Sequence, residues 1–92
     1  MRLVWSAKAY RRREEIFDYI AADNPKAALW LDDQFSQAAE RLTAFPYSGR
    51  IGRVAGTREL VVRASYILVY EVESDRVVIL TIFHTANNIL TY

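Results

Sequence analysis

The chain has no cysteine, which excludes disulfides, thiolate nucleophiles and thiolate metal sites together. Its hydrophobic core must carry stability alone, and a reducing cytosol suits it. One histidine among scattered carboxylates cannot supply the three or four ligands of a metal centre, so neither metal nor cofactor is expected. With that single histidine and no serine elbow, acyl-transfer triads are excluded as well. Glycine is scarce. The three glycines, at 49, 52 and 56, lack the spacing and the preceding strand of a phosphate-cradling loop. The longest apolar runs, Leu68–Tyr70 and Val77–Phe83, fall far short of the roughly 18 residues that span a bilayer, and no basic-then-apolar leader opens the chain. A cytoplasmic protein without membrane contact is the expectation. Repeats, linkers and low-complexity segments are absent too.

What is present belongs to a folded globular protein: 92 residues, 52% apolar and 25% charged. That length accommodates one domain, 1–92, with one core. Net charge is only +1, but it is unevenly spread. Residues 1–13 carry five bases and no acid, 14–46 seven acids against two bases, and 47–63 four arginines against Glu59. Local patches, more than the total, would steer a charged partner. The first patch also reads as a solvated helix face with pairs such as Arg11 and Glu15.

Arg2–Trp5 alternates polar and apolar residues and predicts a short strand, after which Ser6 caps a helix running to about Ala22. Its inward stripe would be Ala9, Tyr10, Ile16, Phe17 and Ile20, with Arg13 snorkelling outward. Asn24-Pro25 is a cap followed by a first-turn proline, so a second helix starts there and continues to about Phe45, where Pro46 stops it. Ala28, Leu31, Phe35, Ala38, Ala39 and Leu42 keep helical spacing along it. A connection this short makes the pair an antiparallel hairpin. Trp30 lies at the rim of that stripe, either as core or as an exposed docking residue.

Residues 47–56 read as a loop, followed by strands over 57–62, 66–73 and 76–84, the last two joined by Ser74-Asp75 and therefore antiparallel. The last strand is apolar on both faces, which predicts an interior position. The fold class expected is α+β: a short N-terminal strand and a two-helix antiparallel hairpin packed on a mainly antiparallel sheet of about four strands.

Several short pieces carry a resemblance: Ala9 through Glu15-Ile16, Tyr19-Ile20, Pro46-x-x-Gly49-Arg50, Gly56-Thr-Arg-Glu-Leu60, Tyr66-Ile-Leu-Val-Tyr70 and the run from Arg76 to His84. In wording and order these resemble the RelE/ParE family, the toxin halves of bacterial toxin-antitoxin pairs, and are closer to the ParE-like branch. The resemblance implies the same helix-on-sheet fold, growth inhibition and plasmid stabilization. It also implies a cognate antitoxin laying an acidic, partly disordered segment against the helices and sheet edge, with Tyr19 and Trp30 as candidate contacts.

Two targets follow from the two branches. Ribosome-dependent RNase members write Tyr-Arg-Leu-Val-Tyr where this chain has Ile67 in the arginine's place. Their second arginine falls near Ala86, while Arg58 and Tyr92 match a basic residue and the terminal tyrosine. If the chain cuts ribosome-bound mRNA, the candidate residues are Arg58, Arg63, His84 and Tyr92. The ParE-like branch implies instead binding to DNA gyrase with no enzymatic step, for which Arg50, Arg53, Arg58 and Arg63 are candidate target-binding residues. A toxin-fold scaffold without activity is a third reading, and oligomerisation stays open. Each residue also has a structural reading: His84 bonded to backbone at a strand end, Tyr66 and Tyr70 as core with hydroxyls at the rim, and the arginines as surface charge.

Overall fold

The computed structural model describes residues 1–85; Ala86 and Tyr92 lie outside them. The chain runs β1 (Arg2–Trp5), α1 (Ala7–Ala21), α2 (Pro25–Ala44), β2 (Arg50–Ile51), β3 (Arg58–Val62), β4 (Tyr66–Val72) and β5 (Arg76–His84). The helices begin where local chemistry says they should. Ser6 Oγ accepts the Ala9 N–H at 3.0 Å, and Asn24 Oδ1 accepts that of Ala27 at 3.1 Å, with Pro25 in the first turn. Among the described residues no helix is long and apolar enough to cross a membrane.

The strands form one mixed sheet in the order β1-β5-β4-β3-β2. β1 lies parallel to β5 at one edge, and the helical pair carries the chain from there to β2 at the opposite edge, while every other neighbouring pair is antiparallel. β5 is interior, as its two apolar faces require. The fifth strand is β2, inside the stretch read as loop. Its two residues pair with Glu59 and Arg58, and a Gly52 N–H to Thr57 carbonyl bond of 2.8 Å closes the turn behind them.

α2 supplies most of the helical half of the core through Leu31, Phe35, Ala38, Ala39 and Leu42; these meet Leu68, Tyr70, Val77, Ile79 and Ile82 of the sheet. α1 buries a narrower stripe, Ala9 and Ile16, and leaves Tyr10 exposed and Phe17 half-buried, so the expected stripe was too wide. Arg13 differs as well. Instead of reaching outward, it forks onto the Asp32 carboxylate of α2, with Nε to Oδ1 at 2.6 Å and Nη2 to Oδ2 at 3.0 Å, and its guanidinium lies 4.6 Å from the Trp5 ring centroid. A partner within reach on the neighbouring helix outweighs solvent.

Two polar anchors hold 46–57 onto the sheet. The Tyr70 side chain is fully buried, and its hydroxyl donates to the Pro46 carbonyl at 2.8 Å while accepting the Gly49 N–H at 3.0 Å. Gly49 is needed there, since a Cβ would stand 2.6 Å from that hydroxyl. Glu59, only 3% exposed, is the second anchor. Its Oε1 accepts from Arg50 Nη2 at 3.0 Å and its Oε2 from Arg53 Nε at 3.0 Å and the Arg53 N–H at 3.1 Å.

β5 has one more residue than its partner requires. The pairing runs Val72 with Val77 and Tyr70 with Ile79, then resumes at Val69 with Thr81, so Leu80 is a bulge. Its carbonyl accepts the Ser6 hydroxyl at 2.9 Å, tying the start of α1 to this point of the sheet. At the β3–β4 hairpin, Arg63 (φ 56) and Ala64 (φ 63) both occupy the left-handed region, which L side chains adopt at a cost of order 1 kcal/mol each. The Thr85 N–H donates to the Ser65 carbonyl at 2.9 Å and holds this tip against the end of β5.

Tyr70→Phe leaves the Gly49 N–H and Pro46 carbonyl without their buried partner and should cost about 1–3 kcal/mol in denaturant unfolding. Burial raises the Tyr70 phenol above its ordinary 10.0, an effect that the Gly49 N–H and Arg58 partly offset. The folded chain thus keeps a proton that the unfolded chain loses. This stabilisation is complete below pH 10.0 and fades as pH rises through the higher folded value, so the alkaline loss of stability should be shallower in Tyr70→Phe than in wild type. Glu59→Gln should lower stability by about 1–2 kcal/mol, short of the full cost of a buried pair because Arg50 reaches solvent. Parallel urea titrations would measure both.

Candidate functional site

Tyr66, at the start of β4, is the residue on which the helix-side surface features converge. Its ring packs edge-on to Phe35, with centroids 5.4 Å apart, and stacks on His84 at 4.6 Å and 26°. Across from that stack, α1 presents Arg12, Glu15, Ile16 and Tyr19, which with Tyr66 and His84 line a groove of about 290 Å³. Burial pushes the Tyr66 phenol up from its usual value, with Arg12 opposing and Tyr19 adding to the shift. It remains a neutral hydroxyl at physiological pH.

A second depression of about 250 Å³ continues past Tyr66 between α2 and the hairpin tip, where Ile20, Trp30, Leu31 and Arg63 line it. Arg63 lies 4.7 Å over the Trp30 ring. Tyr19 is 83% exposed and Trp30 49%, so both residues singled out for antitoxin contact border adjoining hollows on one face. Aromatic groups standing in water beside an apolar groove are the ordinary equipment of a surface that receives an amphipathic segment.

The candidate charged residues are dispersed. Arg58 bends back onto its own loop, donating to the Gly49 carbonyl at 2.9 Å with its guanidinium 4.9 Å from the Tyr47 ring centroid. Arg50 and Arg53 are held by Glu59, and Arg53 also lies 5.1 Å over Phe83. Arg63 is at the opposite end of β3. Tyr92 lies outside the described residues, so the four nuclease candidates are not brought together within them. Ile67 is buried and, alternating with Tyr66 and Leu68, faces away from the helix side on which His84 stacks. Among the described residues no group of His, Cys, Asp or Glu is arranged to hold a metal ion.

Sequence reasoning missed Glu59, Arg12 and the central place of Tyr66. An acid inside an apolar strand next to a loop of arginines was the available signal for Glu59. For Arg12 and Tyr66 there was none, because their meeting depends on how α1 lies on the sheet.

Known proteins with this pattern agree with the geometry. Residues 3–89 match the family model described as the ParE toxin of the type II toxin-antitoxin system parDE. A protein of Sinorhizobium fredii named "Putative toxin Y4kP" is 42% identical over 84 residues, covering 90% of this chain and 86% of its own. "Toxin RelE2" of Caulobacter vibrioides is 36% identical over 84 residues, with 91% and 94% covered. A solved structure described as the chromosomal ParDE TA system from P. aeruginosa contains a chain that superposes with a TM-score of 0.81 at 25% identity, covering 91% of this chain and 95% of that one. The sheet order, the helical pair and these likenesses together make the chain a member of the ParE toxin family of type II toxin-antitoxin systems.

Proposed function

We infer that this toxin arrests growth by docking on DNA gyrase in the cytoplasm, without catalysing a reaction of its own, and in that way serves plasmid stabilization. A cognate antitoxin neutralises it by laying an amphipathic segment across Tyr19, Tyr66 and Trp30. The observation that carries the first half is the placement of Ile67. Metal-free RNA cleavage needs fixed positive charge where the phosphate gains negative charge, and the loss of one such charge costs about 10²-fold or more in rate. At position 67 the chain offers a buried aliphatic group on the far face of the sheet from His84. Of the cations the nuclease reading relies on, Arg58 donates to backbone carbonyls of its loop and Arg63 lies over the Trp30 ring at the other end of β3.

The second half is supported by the paired hollows around Tyr66. Phe35 and His84 hold Tyr66 from two sides and Arg63 covers Trp30, so two of the three aromatic groups are fixed by neighbours. Rigid aromatic anchors bind with little ordering cost.

Purified protein should block gyrase supercoiling, and His84→Ala should block it equally. New 5′ ends on translated messages after induction, lost in His84→Ala, would instead establish the ribosome-dependent nuclease; unimpaired growth without antitoxin would indicate an inactive scaffold. Trp30→Ala and Tyr19→Ala should each weaken antitoxin binding about tenfold, equivalent to about 1.4 kcal/mol, as titration calorimetry would record.

A further inference from the structure

The edge of the sheet carries an ordered surface that the groove around Tyr66 does not use. On β2, Ile51 is 79% exposed, an unusual place for a β-branched apolar side chain. It pairs across the ladder with Arg58, whose guanidinium lies over the ring of Tyr47, itself 64% exposed. Tyr47, Arg58 and Ile51 therefore form a continuous row, while Arg50, the neighbour of Ile51 on β2, points to the opposite face and pairs with Glu59. A lone exposed isoleucine would need no explanation. Tyrosine and arginine are among the residues at which binding energy concentrates in protein interfaces, and here they adjoin an exposed isoleucine.

The row is also held in place before any partner arrives. Arg58 donates to the Gly49 carbonyl, Gly49 donates to the buried Tyr70 hydroxyl, and Arg50 is forked onto Glu59. Such preorganisation lowers the ordering cost of association. The segment 46–58 contains three arginines and no acid, and the carboxylate that follows, Glu59, is buried. Arg50 and Arg53 pair with Glu59 on the opposite face, so beside Ile51 the positive charge is that of Arg58, set between apolar groups.

We propose that Tyr47, Arg58 and Ile51 form a docking surface for an acidic protein surface with an apolar pocket that receives Ile51. Assigning that partner surface to gyrase rests on the reading above. Nucleic acid fits less well, since one face of Tyr47 is covered by Arg58 and cannot stack a base, and an aliphatic anchor has no use on a phosphate backbone. A second copy of the chain fits less well too, because a two-fold contact here would set arginines against arginines.

The test uses the whole chain, purified gyrase holoenzyme and the cognate antitoxin. Ile51→Glu and Tyr47→Ser should weaken gyrase binding by tenfold or more, with antitoxin affinity and melting temperature unchanged. Wild-type binding should weaken as salt is raised. Ile51→Ser replaces Ile51→Glu if the acid disturbs β2. Folded variants that bind gyrase as wild type does would overturn this surface and leave the gyrase reading standing, whereas a wild-type protein that does not bind gyrase would remove both. Retention of the wild type on duplex DNA, or a dimer in sedimentation, that Ile51→Glu abolishes would also overturn the proposal, by assigning the face to nucleic acid or to self-association.

Discussion

The single extra residue in β5 decides which side chains share the helix-facing surface. Continued without Leu80, the pairing of Val72 with Val77 and Tyr70 with Ile79 would set Tyr66 opposite Phe83 and turn His84 to the far face. The bulge shifts the register by one, so that Tyr66 meets His84 and Ile67 meets Phe83. The Tyr66–His84 stack, the groove that it borders and the separation of His84 from position 67 all follow from that shift. Ser6 takes the Leu80 carbonyl, so the residue that starts α1 also fastens the irregularity on which the groove depends.

Polar groups in this small core act as fasteners for backbone that would otherwise be loose. Tyr70 satisfies both a carbonyl and an amide of the segment leaving α2, and Glu59 draws two arginines and an amide of the next turn onto β3. Without cysteine, such bonds are a means available to a short chain for ordering a glycine-containing loop. They also explain why three arginines that look, in the sequence, like free charge for a phosphate are engaged within the protein. What remains outward is their positive field and the apolar points between them.

Much of the fold was legible because its signals are local. Both helix starts and the strands at 2–5 and 76–84 were readable from caps, the proline and alternation, as was the antiparallel turn at Ser74-Asp75. The short β2 strand was not, since two residues carry no periodicity and their pairing is set by the turn behind them. The width of the α1 stripe was misjudged because a helical wheel cannot tell how deeply a helix sits; Tyr10 lies on the favourable arc and is still exposed. For the groove, Tyr19 and Trp30 were visible as candidates, while their convergence around Tyr66 was not.

The chain by itself determined its class of element, its order of elements, its family and the aliphatic residue at 67, because each rests on side-chain identity or on spacing within a few residues. Only the tertiary structure decided the parallel docking of β1, the register past Leu80, the capture of Arg50 and Arg53 by Glu59 and the face on which His84 stands. Those depend on contacts between segments far apart in sequence, where a shift of one residue along a strand exchanges one face for the other.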